Sequence, residues 1–175
     1  MECLQKPTLG TLDRIKKMKK NELIKSLQEF QANSIIFAHL VHGFHWNTES
    51  VLMRQSRIIY EEIYKDAENA VHEVSVWLRR LNGEAPYTLE EFLKNQTLGN
   101  VKPDTYCGVE MAQHLVPINQ RMIEDIKILI EQAIVHREHG LVQFLSTRLG
   151  QHQEWNWFLE SSLKLPPNPW KSLKD

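Results

Sequence analysis

The chain is poor in the residues and segments that mark several protein classes. Its two cysteines, Cys3 and Cys107, have no CxxC or Cys-His spacing, which argues against both a disulfide framework and a structural zinc site. Seven glycines and seven prolines in 175 residues are too few for a collagenous or low-complexity chain. No apolar run approaches the roughly 18 residues of a membrane span, and the N-terminus lacks the apolar core of a signal peptide. We therefore expect one globular, cytoplasmic protein with no membrane partner.

Charge is balanced over the chain but unevenly distributed along it. Lys and Arg (21) nearly cancel Asp and Glu (22) in total, yet the first 25 residues carry seven basic and three acidic side chains. Lysines that contact the phosphates of DNA release bound counterions, and this binding does not depend on the base sequence. Residues 1–20 are therefore predicted to form a basic N-terminal arm that could bind DNA, which would make the protein nucleoid-associated. The alternative is a solvated start of a helix.

Apolar periodicity predicts an all-α chain without strands. The long helices are predicted at about residues 21–46, 52–81, 109–136 and 141–163. A short extra helix, TLEEFLKN, should be capped by Thr88, with Glu91 in the capping-box position. Four long helices with a long connection between the second and third are typical of a ferritin-like four-helix bundle. We assign the bundle to residues 21–164 and a C-terminal tail to residues 165–175.

Metal-capable side chains are concentrated on the first two predicted long helices. The sequence contains no Glu-x-x-His motif, two of which usually build a di-iron site within one ferritin-like subunit. His45 continues the apolar stripe of the first helix, where a histidine is more often a hydrogen-bonded core residue than a ligand. Glu61 and His72 lie on the side of the second helix that points away from its core. This side faces either solvent or another subunit.

Several segments together resemble the Dps family, ferritin-like miniferritins that protect DNA in starved or oxidatively stressed bacteria. The segments are HGFHWN (42–47), YEEIYKDAENAVHEV (60–74), the RRLNGEAP that follows, TLEEFL, and EWNWFLES (154–161). The resemblance spans nearly the whole chain. It implies a hollow homododecamer in which an iron-oxidising centre lies between two subunits related by a twofold axis.

Some of the family's iron ligands have matching residues in this chain, and others are replaced. The usual set is a histidine before a tryptophan, a second histidine twelve residues on, an acidic residue four further, and an aspartate and a glutamate from the partner subunit. His45 and Glu61 match the first histidine and the acidic residue. Arg57, His72 and Val76 stand at the other three positions. The permanent charge of Arg57 opposes a metal cation unless a carboxylate pairs with it.

Two interpretations follow from these replacements. In one, the centre has lost its ligands and is silent. In the other, His72 replaces one good Fe(II) or Zn(II) ligand by another, as in a minority branch of the family with a histidine-richer centre. We favour substitution, with His45, Glu61 and His72 as metal-binding and catalytic residues and with Asp66 and His152 as further metal ligands. The alternative for His152 is a core histidine bonded to a carbonyl group.

The function implied by the resemblance is that of a ferroxidase and iron store. Such a protein oxidises Fe(II) with hydrogen peroxide or dioxygen, keeps the ferric product in its cavity, and so limits oxidative damage to the cell and its DNA. Trp46, beside the centre, would be a packing residue or an electron donor. Two other functions stay open. One is a DNA-compacting shell that uses the basic arm, and the other is a zinc-binding structural shell without turnover, because histidine-rich sites often prefer zinc.

Overall fold

The computed structural model describes residues 9–99 and 107–164, with side chains from residue 20 onward. Within these ranges the chain forms five α-helices and no strand. They are α1 (Leu9–Asn47), α2 (Met53–Arg80), α3 (Leu89–Asn95), α4 (Gly108–Val135) and α5 (His139–Ser162). The predicted all-α bundle with one short extra helix is confirmed. The predicted C-terminal tail, residues 165–175, lies outside the described residues.

The start of α1 differs from the prediction. The helix begins at Leu9, so the predicted start near Asn21 is wrong. Asparagine is a common N-cap residue, but the segment before it is rich in lysine, leucine, isoleucine and methionine and has no proline to stop a helix. Residues 9–20 of the predicted arm are therefore helical. Whether residues 1–20 act as a DNA-binding arm stays a prediction.

The long helices pair as two helical hairpins. α1 packs along α2 and α4 packs along α5, while α3 lies against α1, which also contacts α4. α2 runs from one end of the bundle to the other, and the connection that contains α3 returns the chain to the first end, where α4 begins. This long crossover is the arrangement that distinguishes a ferritin-like bundle from a simple up-down-up-down bundle.

The core consists of two clusters of buried apolar side chains, one toward each end of the bundle. The first joins the C-terminal halves of α1 and α5 to the N-terminal halves of α2 and α4, and its largest members are Phe37, Tyr60, Met111 and Trp155. The second fills the other end and includes Phe30, Leu78, Met122 and Leu145. The predicted apolar stripe of α1 is buried as expected. The first cluster supports the end of the α1–α2 hairpin that carries the candidate ligands.

Local signals fix the ends of α2 and α3. Asn82 has φ of 62°, and the amide of Gly83 donates to the carbonyl of Leu78 at 2.9 Å, which closes α2 as predicted. The predicted capping box of α3 is also present. The Glu91 amide donates to Thr88 Oγ1 at 3.2 Å, and the Thr88 amide donates to a Glu91 carboxylate oxygen at 2.9 Å.

Candidate metal centre

His45 lies near the end of α1, half-buried, and Arg57 of α2 contacts both nitrogens of its ring. The backbone carbonyl oxygen of Arg57 lies 3.0 Å from His45 Nδ1. A carbonyl only accepts, so Nδ1 carries the proton and Nε2 of the neutral ring presents its lone pair. Nη2 of the Arg57 guanidinium lies 3.3 Å from that Nε2 and donates to it. The backbone of Arg57 thus fixes the tautomer and orientation of the imidazole, while its side chain donates to the ring nitrogen that carries the lone pair.

Glu61 lies one turn beyond Arg57 on α2 and is partly exposed. Its carboxylate accepts a hydrogen bond from the ammonium group of Lys65, one turn further on. The pKa of Glu61 is lowered, first by the hydrogen bond and charge of Lys65 and then by its electrostatic interactions with His45 and Arg57. These causes place His45, Arg57 and Glu61 in one electrostatic neighbourhood. Glu61 is therefore ionised and able to act as an oxygen ligand.

His72 is exposed on α2, eleven residues after Glu61. At 1.5 Å of rise per residue this separation corresponds to about 16 Å along the helix axis. Donors to one metal ion lie only about 2 Å from it, so Glu61 and His72 of one chain cannot share an ion. A second chain can resolve this. If two α2 helices cross antiparallel near Asp66 and Ala67, Glu61 of one chain lies opposite His72 of the partner subunit.

An aromatic cluster stands beside His45. The His42 ring stacks on Tyr64 of α2, with ring centroids 3.8 Å apart and planes 8° from parallel. The same His42 ring lies 4.1 Å from that of Trp46, which is itself 55% exposed. The Tyr64 ring is 5.6 Å from His45. The rings of His42, Trp46 and Tyr64 line one side of the candidate centre. Trp46 was expected there from sequence, whereas the part played by Tyr64 was missed.

Asp66, predicted as a further ligand, forms an ion pair with Arg148 of α5. The Arg148 side chain is only 8% exposed, and its guanidinium also lies 5.3 Å from the centroid of the Trp155 ring. Asp66 therefore neutralises a buried charge where α2 meets α5. The sequence did not reveal this ion pair, because Arg148 lies 82 residues after Asp66.

His152, the other predicted further ligand, is a core residue with a defined partner. It is 2% exposed, and its Nδ1 lies 2.7 Å from Oδ1 of Asn119 on α4. The amide nitrogen of Asn119 donates to the His152 backbone carbonyl at 2.8 Å, so Oδ1 is the acceptor and His152 Nδ1 is the donor. Burial, and then the charge of Arg148, hold the pKa of His152 well below its usual range. The ring is therefore neutral, and its hydrogen-bond partner is the side-chain amide oxygen of Asn119.

The described residues of one chain contain no group of three or more His, Cys, Asp or Glu side chains that could hold a metal ion. Of the five predicted ligands, the structure brings His45 and Glu61 into one neighbourhood and leaves His72 three turns away. The described part of one chain therefore does not supply a complete donor set. The predicted ligand set as a whole stays a prediction.

Comparisons with known proteins identify the family and the fold of the chain. The model of the ferritin-like domain matches residues 24–167 of the chain. The chain belongs to the ferritin-like family. The DNA protection during starvation protein of Helicobacter pylori (strain J99) is 23% identical to it over 146 residues, which are 83% of this chain and 99% of that protein.

Solved Dps structures share the fold of this ferritin-like chain. Dps from Thermosynechococcus elongatus superposes with a TM-score of 0.83 at 19% identity and covers 89% of this chain and 98% of its own. The Dps protein from Vibrio cholerae O1, described as a member of a broad superfamily of ferritin-like diiron-carboxylate proteins, gives a TM-score of 0.78 at 21% identity, with 84% and 92% covered. The resemblance to Dps proteins predicted from sequence is confirmed.

Among residues 9–99 and 107–164, no helix is both long enough and apolar enough to cross a membrane.

Proposed function

We propose that the protein is a miniferritin that binds Fe(II) at sites shared by two subunits, oxidises it with hydrogen peroxide or dioxygen, and stores the ferric product. The observation that carries the proposal is the His45 ring, which the Arg57 carbonyl orients so that Nε2 presents a lone pair, and which interacts electrostatically with ionised Glu61. Imidazole and carboxylate together suit Fe(II). His72 of the partner subunit would complete the donor set.

The assembly that follows is a closed homododecamer with an internal cavity. Support comes from the exposed face of α2, where Glu61, Lys65, Glu68 and His72 recur at three- or four-residue spacing. In the antiparallel crossing described above, Lys65 of one chain lies opposite Glu68 of its partner, and Glu61 lies opposite His72. Opposite charges and complementary ligands then meet across one twofold axis. Light scattering should give about twelve times the 20.6 kDa chain mass.

Within the proposed centre the residues have separate tasks. His45 and Glu61 would bind the iron substrate, and the Arg57 carbonyl would keep the imidazole in its binding tautomer. Lys65 would release the Glu61 carboxylate, which costs little because both side chains are substantially exposed. Oxidation by peroxide balances as two Fe(II) and one H2O2 with two protons giving two Fe(III) and two waters. His42, Tyr64 and Trp46 would shield the ligands on one side.

The test is Fe(II) oxidation by purified protein under exclusion of air, started by adding peroxide or dioxygen. His45→Ala and His72→Ala should each slow ferric product formation by about tenfold or more. His39→Ala is the matched control, since this histidine is exposed on the same helix as His45, and it should oxidise iron at the parent rate. Each variant should keep the parent mass in light scattering. Parent-like oxidation by both alanine variants would refute the site.

A zinc-binding shell without turnover is the second candidate, and the contact between Arg57 and His45 Nε2 favours it. A guanidinium on the coordinating nitrogen weakens binding of any divalent ion, and zinc binds nitrogen donors more tightly than Fe(II). Under this alternative the parent protein binds zinc and protects it from a weak chelator, while added Fe(II) oxidises no faster than in buffer. Zinc binding and Fe(II) oxidation, measured separately on the same protein preparation, therefore distinguish the two functions.

A further inference from the structure

Asn82 and Gly83, directly after α2, form the one Asn–Gly pair in the sequence. Such a pair is chemically labile, because glycine has no side chain to shield its amide nitrogen from the neighbouring carboxamide group. Asn82 is exposed, so water reaches its side chain. The proposed function uses neither residue. The pair is therefore a candidate site of chemical modification away from the metal centre.

The reaction open to this pair is deamidation, which needs no cofactor and no oxidant. The amide nitrogen of Gly83 loses its proton and attacks the side-chain carbonyl carbon of Asn82, and the new C–N bond closes a five-membered succinimide ring. The C–N bond of the carboxamide breaks, and its nitrogen leaves as ammonia with the proton from the Gly83 amide. One water molecule then opens the ring, which leaves aspartate or isoaspartate at position 82.

The folded end of α2, residues 78–84, opposes the first step of this reaction. The amide of Gly83 donates to the carbonyl of Leu78 at 2.9 Å. The amide of Asn82 donates to the carbonyl of Arg79 at 3.0 Å. Together with the φ of 62° at Asn82, these two bonds form a Schellman motif. Because the Gly83 nitrogen donates its proton to Leu78, it is neither deprotonated nor turned toward the Asn82 carboxamide.

Contacts from two helices hold the end of α2 closed. Gly83 is buried against α1, where a Cβ added to this glycine would lie 2.7 Å from Ile24 Cγ2. Arg79 Nη1 donates to the Gly83 carbonyl at 2.8 Å. Gln28 Nε2 of α1 donates to the Glu84 carbonyl, also at 2.8 Å. The Gly83 amide is therefore released only when several contacts are lost together.

From these contacts we infer that Asn82 is a deamidation site that the folded end of α2 protects, and that it reacts only in chains in which this end has opened. Helix ends open locally more often than a whole protein unfolds. When opening and closing are fast, the observed rate is the rate of the open chain multiplied by the open fraction. Isoaspartate adds a carbon atom to the main chain, so the Gly83 amide loses its alignment with Leu78 and the opening becomes permanent.

The test compares deamidation rates in folded and unfolded chains by mass spectrometry. The full-length protein, the same protein in urea, and a synthetic peptide of residues 76–88 are incubated in one mildly alkaline buffer. The mass gain at position 82 is then followed in digests made under mildly acidic conditions. The folded protein should react at least about tenfold more slowly than the peptide, because opening breaks several hydrogen bonds. The protein in urea should react at the rate of the peptide.

Two arginine variants form a matched pair. Arg79→Ala removes the hydrogen bond to the Gly83 carbonyl and should speed deamidation of the folded protein by about two- to tenfold. Arg80→Ala removes an equal charge from the same helix end, but the Arg80 guanidinium lies over the Trp77 ring, 4.7 Å from its centroid, so this variant should react at the parent rate. Asn82→Gly, which tolerates the positive φ, should abolish the mass gain. Circular dichroism and light scattering check that each variant is folded like the parent.

Each outcome supports or overturns the inference. A folded protein that reacts as fast as the peptide would overturn the protection, and a peptide that does not react would overturn the site. Equal rates in Arg79→Ala and Arg80→Ala would overturn the part assigned to the contacts at the end of α2. Slow reaction in the folded protein, with Arg79→Ala faster than Arg80→Ala, supports the inference. None of these measurements involves a metal, so they leave the proposed function untouched.

Discussion

Burial of His152 should make the free energy of unfolding depend on pH. The ring is 2% exposed, lies between Phe37 and Trp155 with ring centroids 5.7 and 4.7 Å away, and donates to Asn119. Burial and the charge of Arg148 lower its pKa in the folded chain, whereas the unfolded chain takes up a proton near pH 6.5. The unfolded state therefore binds more protons as pH falls below about 6.5, and stability is lost toward acid.

The size of this effect follows from proton linkage. Stability falls by up to about 1.4 kcal/mol per pH unit below 6.5 until the folded histidine also titrates. Between pH 7 and pH 5.5 the expected loss is at most about 1.2 kcal/mol per subunit. Urea unfolding of parent and His152→Gln at both pH values, at equal protein concentration, isolates this contribution from those of the other histidines. Equal losses in the two proteins would refute the account, because His152 would then protonate as easily folded as unfolded.

Other regions of the chain give further expectations. Asp66→Asn leaves the buried Arg148 guanidinium without its counter-charge and should lower the free energy of unfolding by about 2 kcal/mol, measured by urea denaturation. Gly140→Ala would place a Cβ 2.7 Å from the Trp77 ring and should destabilise by about 1–2 kcal/mol, whereas Gly150→Ala, with nothing within 4 Å, should stabilise by up to about 1 kcal/mol. Deleting the basic N-terminal arm should abolish any gel shift with DNA, and binding by the intact protein should fall steeply between about 50 and 200 mM salt. Absence of a shift at low salt would remove the DNA-binding role.

Most of the fold could be predicted because its signals are local. The C-terminus of α2 follows from Asn82 and Gly83, and the start of α3 follows from the Thr88–Glu91 capping box. Helical periodicity identified the buried stripes, since apolar residues at three- and four-residue spacing share one face. The start of α1 could not be predicted in this way. Asn21 has the side chain of a helix cap but occupies the interior of a helix whose upstream residues also favour helix.

The candidate site was only partly predictable because its decisive contacts are tertiary. His45 and Glu61 were found from their positions in the resemblance to Dps proteins. The placement of the Arg57 side chain on His45 Nε2 depends on how α1 and α2 meet across their connecting turn. The pairing of His152 with Asn119 likewise depends on the packing of α4 against α5. Periodicity specifies which side of a helix faces inward, but not which two polar groups meet there.

A crystal structure of the protein soaked with Fe(II) under exclusion of air tests the central claim most directly. The proposed centre predicts anomalous iron density bound by His45, Glu61 and His72 of the partner subunit, with the Arg57 guanidinium moved off His45 Nε2. No peak, with Arg57 still donating to His45, would contradict the metal centre itself.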